Sequence, residues 1–272
     1  MAYDKTPSGF EVLFPDDLQE YIAEHREGTY QLIDVRQPEE YEESHLPGSK
    51  LIPLPLLAES IKKLDRTSDT IVYCSVGGRS QMAARFLAVR GFDRVFQLQG
   101  GIEAWKQGTA ANPPELHLHF IRGDESAAEA ASVAYRFEAG LEQFYRMVLA
   151  RVGIDDVRDV LEELIKAEEI HKRNLLELLE SLGTTPGDSP DGMMEGGLEI
   201  NDYLSRNDHY LKSARDCLEL AMMIEVHGLD LYLRMAQTCA HAAVKELFYR
   251  LGEEEKAHLN ALADMSAKIG RV

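Results

Sequence analysis

The sequence predicts two domains of different class, an α/β domain with a mainly parallel sheet flanked by helices and then an all-α four-helix bundle. Three observations carry this reading. Short β-rich runs alternate with amphipathic segments up to residue 107, whereas from about residue 125 the chain turns to long stretches of Ala, Leu, Glu and Met. Gly, Asn and paired prolines at 108–114 punctuate the change. Finally, the second region repeats itself: a shift of 87 residues lays Glu138 on Glu225, Glu168 on Glu255 and His171 on His258.

In the first domain, 1–108, the runs 30–35, 70–74 and 94–98 read as strands, and helices are expected near 16–25, 38–44, 55–64, 79–90 and 101–106. Residues 109–124 are assigned to a linker. In the second domain, 125–272, helices are expected near 125–151, 155–181, 208–238 and 241–269. Each is several turns longer than an average helix, as a bundle requires. Short turns around Gly153 and at 239–241 give two hairpins, in agreement with the repeat. The Gly/Pro-rich stretch 183–206 joins them as a long crossover, the connectivity of ferritin-like bundles.

The bulk numbers set limits. With 272 residues, 44% of them hydrophobic, the chain can bury a core in each domain, and no apolar run is long enough to cross a membrane. Acidic residues outnumber basic ones 47 to 29, and the net charge of −18 divides as −5 in 1–108 and −13 beyond. Such a surface repels nucleic acid and anionic lipid, so neither is expected as a partner. The start, Met1–Lys5, lacks the basic-then-apolar pattern of a secretory signal. Three scattered cysteines form neither a disulfide framework nor a cysteine-rich metal knuckle, and their scarcity suits a reducing compartment. A cytoplasmic location is expected.

Cys74 closes a predicted strand, and Ser75, Val76, Gly77, Gly78, Arg79 and Ser80 lead from it into a helix. Backbone N–H groups and the positive helix end favour the thiolate there, and the thiolate is the nucleophile. Gly77 and Gly78 let the backbone curl, and Arg79 offers a forked donor to an anionic substrate such as thiosulfate. Around this loop stand Asp34-Val35-Arg36, Glu39-Glu40-Tyr41, His45-Leu46-Pro47-Gly48-Ser49 and Gly100-Gly101-Ile102-Glu103-Ala104-Trp105. In this order and over residues 10–107, these stretches resemble a single-domain rhodanese, a sulfurtransferase module. The resemblance implies that Cys74 accepts sulfane sulfur as a persulfide and passes it on. Related phosphatases space Cys and Arg by five residues; here four intervene, which favours a sulfur substrate. No second cysteine lies in this domain to resolve the persulfide internally. Asp34 and Arg36 read as structural partners behind the loop, and His45 and Trp105 as packing residues.

In the second domain each half reads Glu, then 29 residues, then Glu-x-x-His. Positions three apart share a helix face, so Glu168 with His171, and Glu255 with His258, can grip one ion together. Glu138 and Glu225, from two further helices, complete four carboxylates and two imidazoles, the inward ligand set of di-iron or di-manganese bundles. Both lone glutamates sit in apolar stretches, where a carboxylate is costly unless a cation neutralises it. The alternative is a solvated face of salt bridges. Tyr145 and Tyr232, each seven residues after its glutamate, either donate hydrogen bonds to ligand carboxylates or pack in the core.

Residues 125–270 resemble the rubrerythrin branch of the ferritin-like superfamily. The resemblance implies two iron ions per chain held by these six residues, reaction with peroxide or oxygen, and a homodimer. Manganese stays open on ligand type alone. Relatives of that kind carry a four-cysteine rubredoxin module, which these three cysteines do not supply, so an external electron donor is expected. They also carry a further glutamate three residues after the helix-three ligand; Gly228 stands there, and Glu142, one turn after Glu138, is a substitute or a solvated residue. His117, His119, His209, His227 and His241 read as structural or surface residues, and Cys217 and Cys239 as packing on helix three. The leading expectation is a sulfurtransferase and di-iron redox protein acting on a small sulfur compound. The alternatives are a persulfide, oxidant or iron sensor, and an iron-storage protein.

Overall fold

The computed structural model describes residues 9–114, 121–152, 155–187, 193–194 and 198–269. It divides into two units, Met1–Pro114 and Glu115–Val272. Among the described residues no helix is long and apolar enough to cross a membrane.

The first unit carries β1 (Glu11–Leu13), α1 (Pro15–Glu24), β2 (Tyr30–Asp34), α2 (Pro38–Glu43), β3 (Lys50–Leu51), α3 (Leu57–Ser60), β4 (Asp69–Tyr73), α4 (Gly78–Val89), β5 (Val95–Leu98) and α5 (Gly101–Ala104). The sheet order is β1-β5-β4-β2-β3, and every pairing is parallel. Side chains alternate between two cores, as a strand period of two demands. Ile33, Val72, Cys74 and Val95 pack with Ala83, Ala84 and Leu87 of α4, while Leu32, Ile71, Tyr73 and Phe96 pack with Leu18 and Tyr21 of α1. The alternation therefore delivers Cys74 to the face that α4 covers.

Two strands escape the sequence reading. β1 and β3 are three and two residues long, too short for a period to register. The expected helix at 55–64 is instead a 3₁₀ turn at Leu54–Leu56, the single turn of α3, and a second 3₁₀ turn at Ile61–Lys63. Pro53 and Pro55 interrupt the start, since neither offers an N–H to a continuous ladder. An isolated bridge between His45 and Ala110 ties residue 110 into the first unit.

The second unit is built on α6 (Ala127–Arg151), α7 (Asp155–Ser181), α9 (Ala214–Thr238) and α10 (Ala242–Ile269), with β6 (Met193–Met194), β7 (Leu198–Glu199) and α8 (Ile200–Arg206) between them. α6 begins with a capping box, in which the Ser126 hydroxyl accepts from the Glu129 N–H and the Glu129 carboxylate accepts from the Ser126 N–H. α6 pairs with α7 and α9 with α10.

Two apolar clusters fill the bundle, and each long helix passes from one to the other. α6 and α10 run from the cluster of Phe137, Leu175, Leu231 and Phe248 to that of Phe144, Leu161, Ile224 and Leu262. α7 and α9 run the opposite way. Helices α7 and α9 thus share a direction, and their connection has to return along the bundle, about 40 Å for a helix of this length. The expected crossover is that connection, and it carries structure of its own: β6 and β7 pair antiparallel, and Ile200 and Leu204 of α8 are buried in the second cluster. The expected helix at 208–238 starts later, at Ala214. Asp208–Leu211 form a separate 3₁₀ turn, and extended Ser213 caps α9 by accepting from the Asp216 N–H. The turn around Gly153, His117, His119 and parts of the crossover lie outside the described residues.

Candidate active site and candidate metal centre

Cys74 follows β4 directly, and its thiol is buried (1% exposed). Gly77 takes a left-handed conformation (φ 119°) and turns the chain into α4. The turn aims donors at the sulfur: the Gly77 N–H at 3.1 Å and the Ser80 N–H at 3.4 Å, with the Ser80 hydroxyl 3.5 Å away. Burial pushes the thiol up, but the Ser80 hydroxyl and the N–H groups of Ser80, Gly77 and Arg79 outweigh it and hold it below the usual thiol range. Gln97, from β5, donates to the Ser80 hydroxyl (3.3 Å) and to the Leu98 carbonyl (2.7 Å), which fixes Ser80 from behind.

A second clamp comes from α5. The N–H groups of Ile102 and Glu103 donate to the carbonyls of Cys74 and Ser75 at 2.9 and 3.1 Å. The approach is so close that a Cβ on Gly101 (φ 60°) would stand 2.1 Å from the Cys74 oxygen.

Arg79 meets a carboxylate in the folded loop. Its fork is closed on Glu40, with Nη1 and Nη2 each donating at 2.6 Å to one carboxylate oxygen. Ser75 joins them: its hydroxyl donates to Glu40 (2.7 Å) and accepts from Arg79 (2.8 Å). Arg79 brings Glu40 down to about 2. The guanidinium therefore braces the loop against α2 and is shared with a carboxylate, while Cys74 also acts on it. Val76 is exposed at the loop's crest, and Gly78 has open space beside it.

The flanking residues follow their structural reading. Arg36 grips Asp34 through Nε (3.0 Å) and Nη2 (2.7 Å), both buried. His45 stacks on Tyr41 with ring centroids 3.7 Å apart, and Trp105 packs at the edge of the core beside α1.

In the bundle, Glu138 of α6, Glu168 and His171 of α7, Glu225 of α9, and Glu255 and His258 of α10 form one layer between the two apolar clusters. All four carboxylates are at most 1% exposed. Nδ1 of His171 lies 3.1 Å from Glu138 and 3.5 Å from Glu168, and Nδ1 of His258 lies 2.9 Å from Glu225 and 3.6 Å from Glu255. Three sets have ligand atoms all within 4.8 Å of one another: Glu168–His171–His258, Glu138–His171–Glu255 and Glu225–Glu255–His258.

Both tyrosines are fully buried and donate across the repeat, Tyr145 to Glu225 and Tyr232 to Glu138. Burial raises Glu138 and Glu225, yet the histidines and tyrosines at their oxygens hold both below the ordinary carboxylate range. Burial and the carboxylates of Glu225, Glu138 and Glu168 push Glu255 well above it. Both oxygens of Glu255 are buried without a hydrogen-bond partner. Four buried carboxylates and two imidazoles between two apolar clusters, with the Glu255 oxygens lacking any hydrogen-bond partner, form a donor set that fits a pair of cations.

Glu142 is held by Arg146 (2.7 Å) and Lys172 (2.6 Å) and is 12% exposed. Gly228 is buried in α9. Cys217 is buried on α9 and donates to the Tyr210 carbonyl at 3.3 Å, and Cys239 caps the helix, pushed up to about 11 by burial. His209 and His241 are exposed, and His227 contacts the Met223 carbonyl.

Sequence reasoning missed Glu40, Gln97, Gly101 and Glu254 as participants. Glu40 and Gly101 stand inside stretches that were already notable, but only the fold shows what they meet. Glu254 departs from the repeat, since Ala167 is the residue that falls on it. Its carboxylate lies 3.6 Å from Nε2 of His171.

Comparison with known proteins places the same two regions. The rhodanese-like domain family matches residues 17–108, and the rubrerythrin family matches residues 129–266. Rhodanese-like/PpiC domain-containing protein 12 of Arabidopsis thaliana is 44% identical over 79 residues, which is 28% of this chain and only 26% of that protein. The thiosulfate sulfurtransferase GlpE of Pseudomonas aeruginosa is 33% identical over 87 residues, 32% of this chain and 79% of that protein. A solved rhodanese-related protein from Thermoplasma volcanium shares 32% identity over 35% of this chain and 90% of its own, with a TM-score of 0.32.

Proposed function

Because this chain belongs to the rhodanese-like family through its first unit and to the rubrerythrin family through its second, we propose that it couples sulfane-sulfur transfer at Cys74 with peroxide- or oxygen-linked redox chemistry at a di-iron centre. The observation that carries the sulfur half is the ring of donors around a buried thiol. In this reading the Cys74 thiolate attacks the outer sulfur of thiosulfate or a persulfide. The donor's S–S bond breaks, its remainder leaves with the electron pair, and Cys74 holds one extra sulfur atom. The N–H groups of Gly77 and Ser80 then stabilise the charge on that sulfur as they do on the thiolate. No other cysteine lies in the first unit, so an external thiol or other nucleophile takes the sulfur in a second displacement.

The observation that carries the redox half is the buried layer of six ligands. Glu138, Glu168, His171, Glu225, Glu255 and His258 would hold the metal, and iron bound there supplies one-electron redox steps and a Lewis acid for peroxide or oxygen. The protein's part is to hold carboxylates in a dry layer. Tyr145 and Tyr232 each pin one of them. Reducing one peroxide to water takes two electrons and two protons, and the electrons come from an external reductant, with reduced sulfur species as the class the first unit makes available.

Metal content of the purified protein, measured beside Glu168→Ala/Glu255→Ala with peroxide consumption on both, tests the redox half. About two irons per chain, lost in the variant together with turnover, is the expected result. Absence of stoichiometric metal from both proteins would remove the di-iron reading and leave Cys74 as the chemistry of this chain.

A further inference from the structure

The repeat that builds the metal layer is not kept at every charged position beside it, and Glu254 is one that differs. Glu254 precedes the ligand Glu255 on α10, and its counterpart on α7 is Ala167. From α10 the Glu254 carboxylate reaches across to α7, 3.6 Å from Nε2 of His171. That is ion-pair range, a little longer than a hydrogen bond. The carboxylate is 29% exposed, so it meets solvent on one side and the ring on the other. His258 stands to Glu225 through Nδ1 as His171 stands to Glu138. At its Nε2, however, no carboxylate is found among the described residues; its acidic neighbours all face Nδ1.

We propose that Glu254 is a positioning residue that makes the two metal positions unequal, the one served by His171 being the tighter. The inference rests on the di-metal reading above. A neutral imidazole carries one proton, and the nitrogen that binds a metal must be the bare one. Both histidines turn Nδ1 into the carboxylate layer, which leaves the proton on Nε2. At His171 the Glu254 carboxylate stands 3.6 Å from Nε2 as an ion-pair partner for that N–H, which orients the ring and makes Nδ1 more basic. At His258 no carboxylate among the described residues stands at Nε2 to do the same. Partners of this outer kind are worth about 10–100-fold in metal affinity. Glu254 also brings a further negative charge to one half of a symmetric centre.

Titration of the metal-free full chain with Mn(II), with free Mn(II) followed by electron paramagnetic resonance, reads the two binding steps separately. Wild type is expected to show steps separated by about tenfold or more. Glu254→Gln should weaken the tighter step by about 10–100-fold and bring the two together. Ala167→Glu, which places a carboxylate where the repeat would put it beside His258, should strengthen the weaker step. Glu253→Gln controls for the loss of a nearby charge and should leave both steps within about twofold. Two equal steps in wild type, or a Glu254→Gln titration superimposable on wild type, overturns the proposal while leaving the di-metal reading intact. A wild type that takes up neither Mn(II) nor, anaerobically, Fe(II) removes both.

Discussion

At the scale of single residues, the two candidate sites solve opposite electrostatic problems. Cys74 needs an anion stabilised in a buried place, and the chain supplies N–H groups and a hydroxyl at the sulfur, with the Arg79 cation nearby and paired to Glu40. Alkylation of Cys74 by iodoacetamide, followed at the level of its peptide, should therefore reach half its maximal rate below pH 9.0, the ordinary thiol value. The sign follows from the donors: they favour the charged form, so the thiolate persists to lower pH. Ser80→Ala removes the hydroxyl and should move that midpoint upward. A wild-type midpoint at or above 9.0 would contradict the loop geometry. In the bundle the problem is an excess of anions. The sequence made that excess legible through the repeat, because a spacing of 87 residues survives whatever the helices do. It could not show that Tyr145 and Tyr232 donate to each other's glutamates, since hydrogen bonding and packing ask for the same residue at the same position.

At the scale of elements, the short ones proved hardest to read and most consequential for the site. The four long helices announced themselves by composition and period, and the parallel sheet by alternation. β1 and β3 did not, because two or three residues carry no periodicity and are fixed by their neighbours; α5 was legible as a helix at 101–106, but not what it touches. Yet α5 is what holds the Cys74 loop. Gly101→Ala should push α5 off the Cys74 and Ser75 carbonyls, cost about 1–3 kcal/mol in urea unfolding, and lower sulfur transfer more than the lost stability accounts for. Gly78→Ala, one helix away and facing open space, is the contrasting case: it should stabilise by about 0.4–1 kcal/mol. Equal effects from the two substitutions would show that α5 is not a clamp.

At the scale of the whole second unit, the layer of four buried carboxylates divides one bundle into two apolar cores, and without a cation it is a destabilising seam. Glu255 is the clearest contributor. Burial and its carboxylate neighbours raise it well above 4.5, so the folded state keeps a proton that the unfolded state releases. Stability from this group is greatest below pH 4.5 and falls as pH rises toward its folded value. In chelator-treated protein, Glu255→Gln should gain on wild type in urea midpoint as pH rises above 4.5. Metal should reverse the order, because only wild type keeps all six ligands and binding favours the folded state. A gap that does not change with pH would mean that Glu255 is not strained by its surroundings.

The crossed tyrosines carry one more consequence. Tyr145 of the first hairpin completes the environment of Glu225 in the second, and Tyr232 of the second does the same for Glu138 in the first. Neither hairpin is self-sufficient: cut from the chain, either would present half a cage whose missing donor and ligands are those of its twin. Two identical copies of such a hairpin, related by a two-fold axis, would rebuild the layer by exchanging tyrosines. The second unit thus has the internal logic of a symmetric pair joined into one polypeptide, and fusion is what leaves a position such as Glu254 able to differ from Ala167, a freedom that strict symmetry forbids.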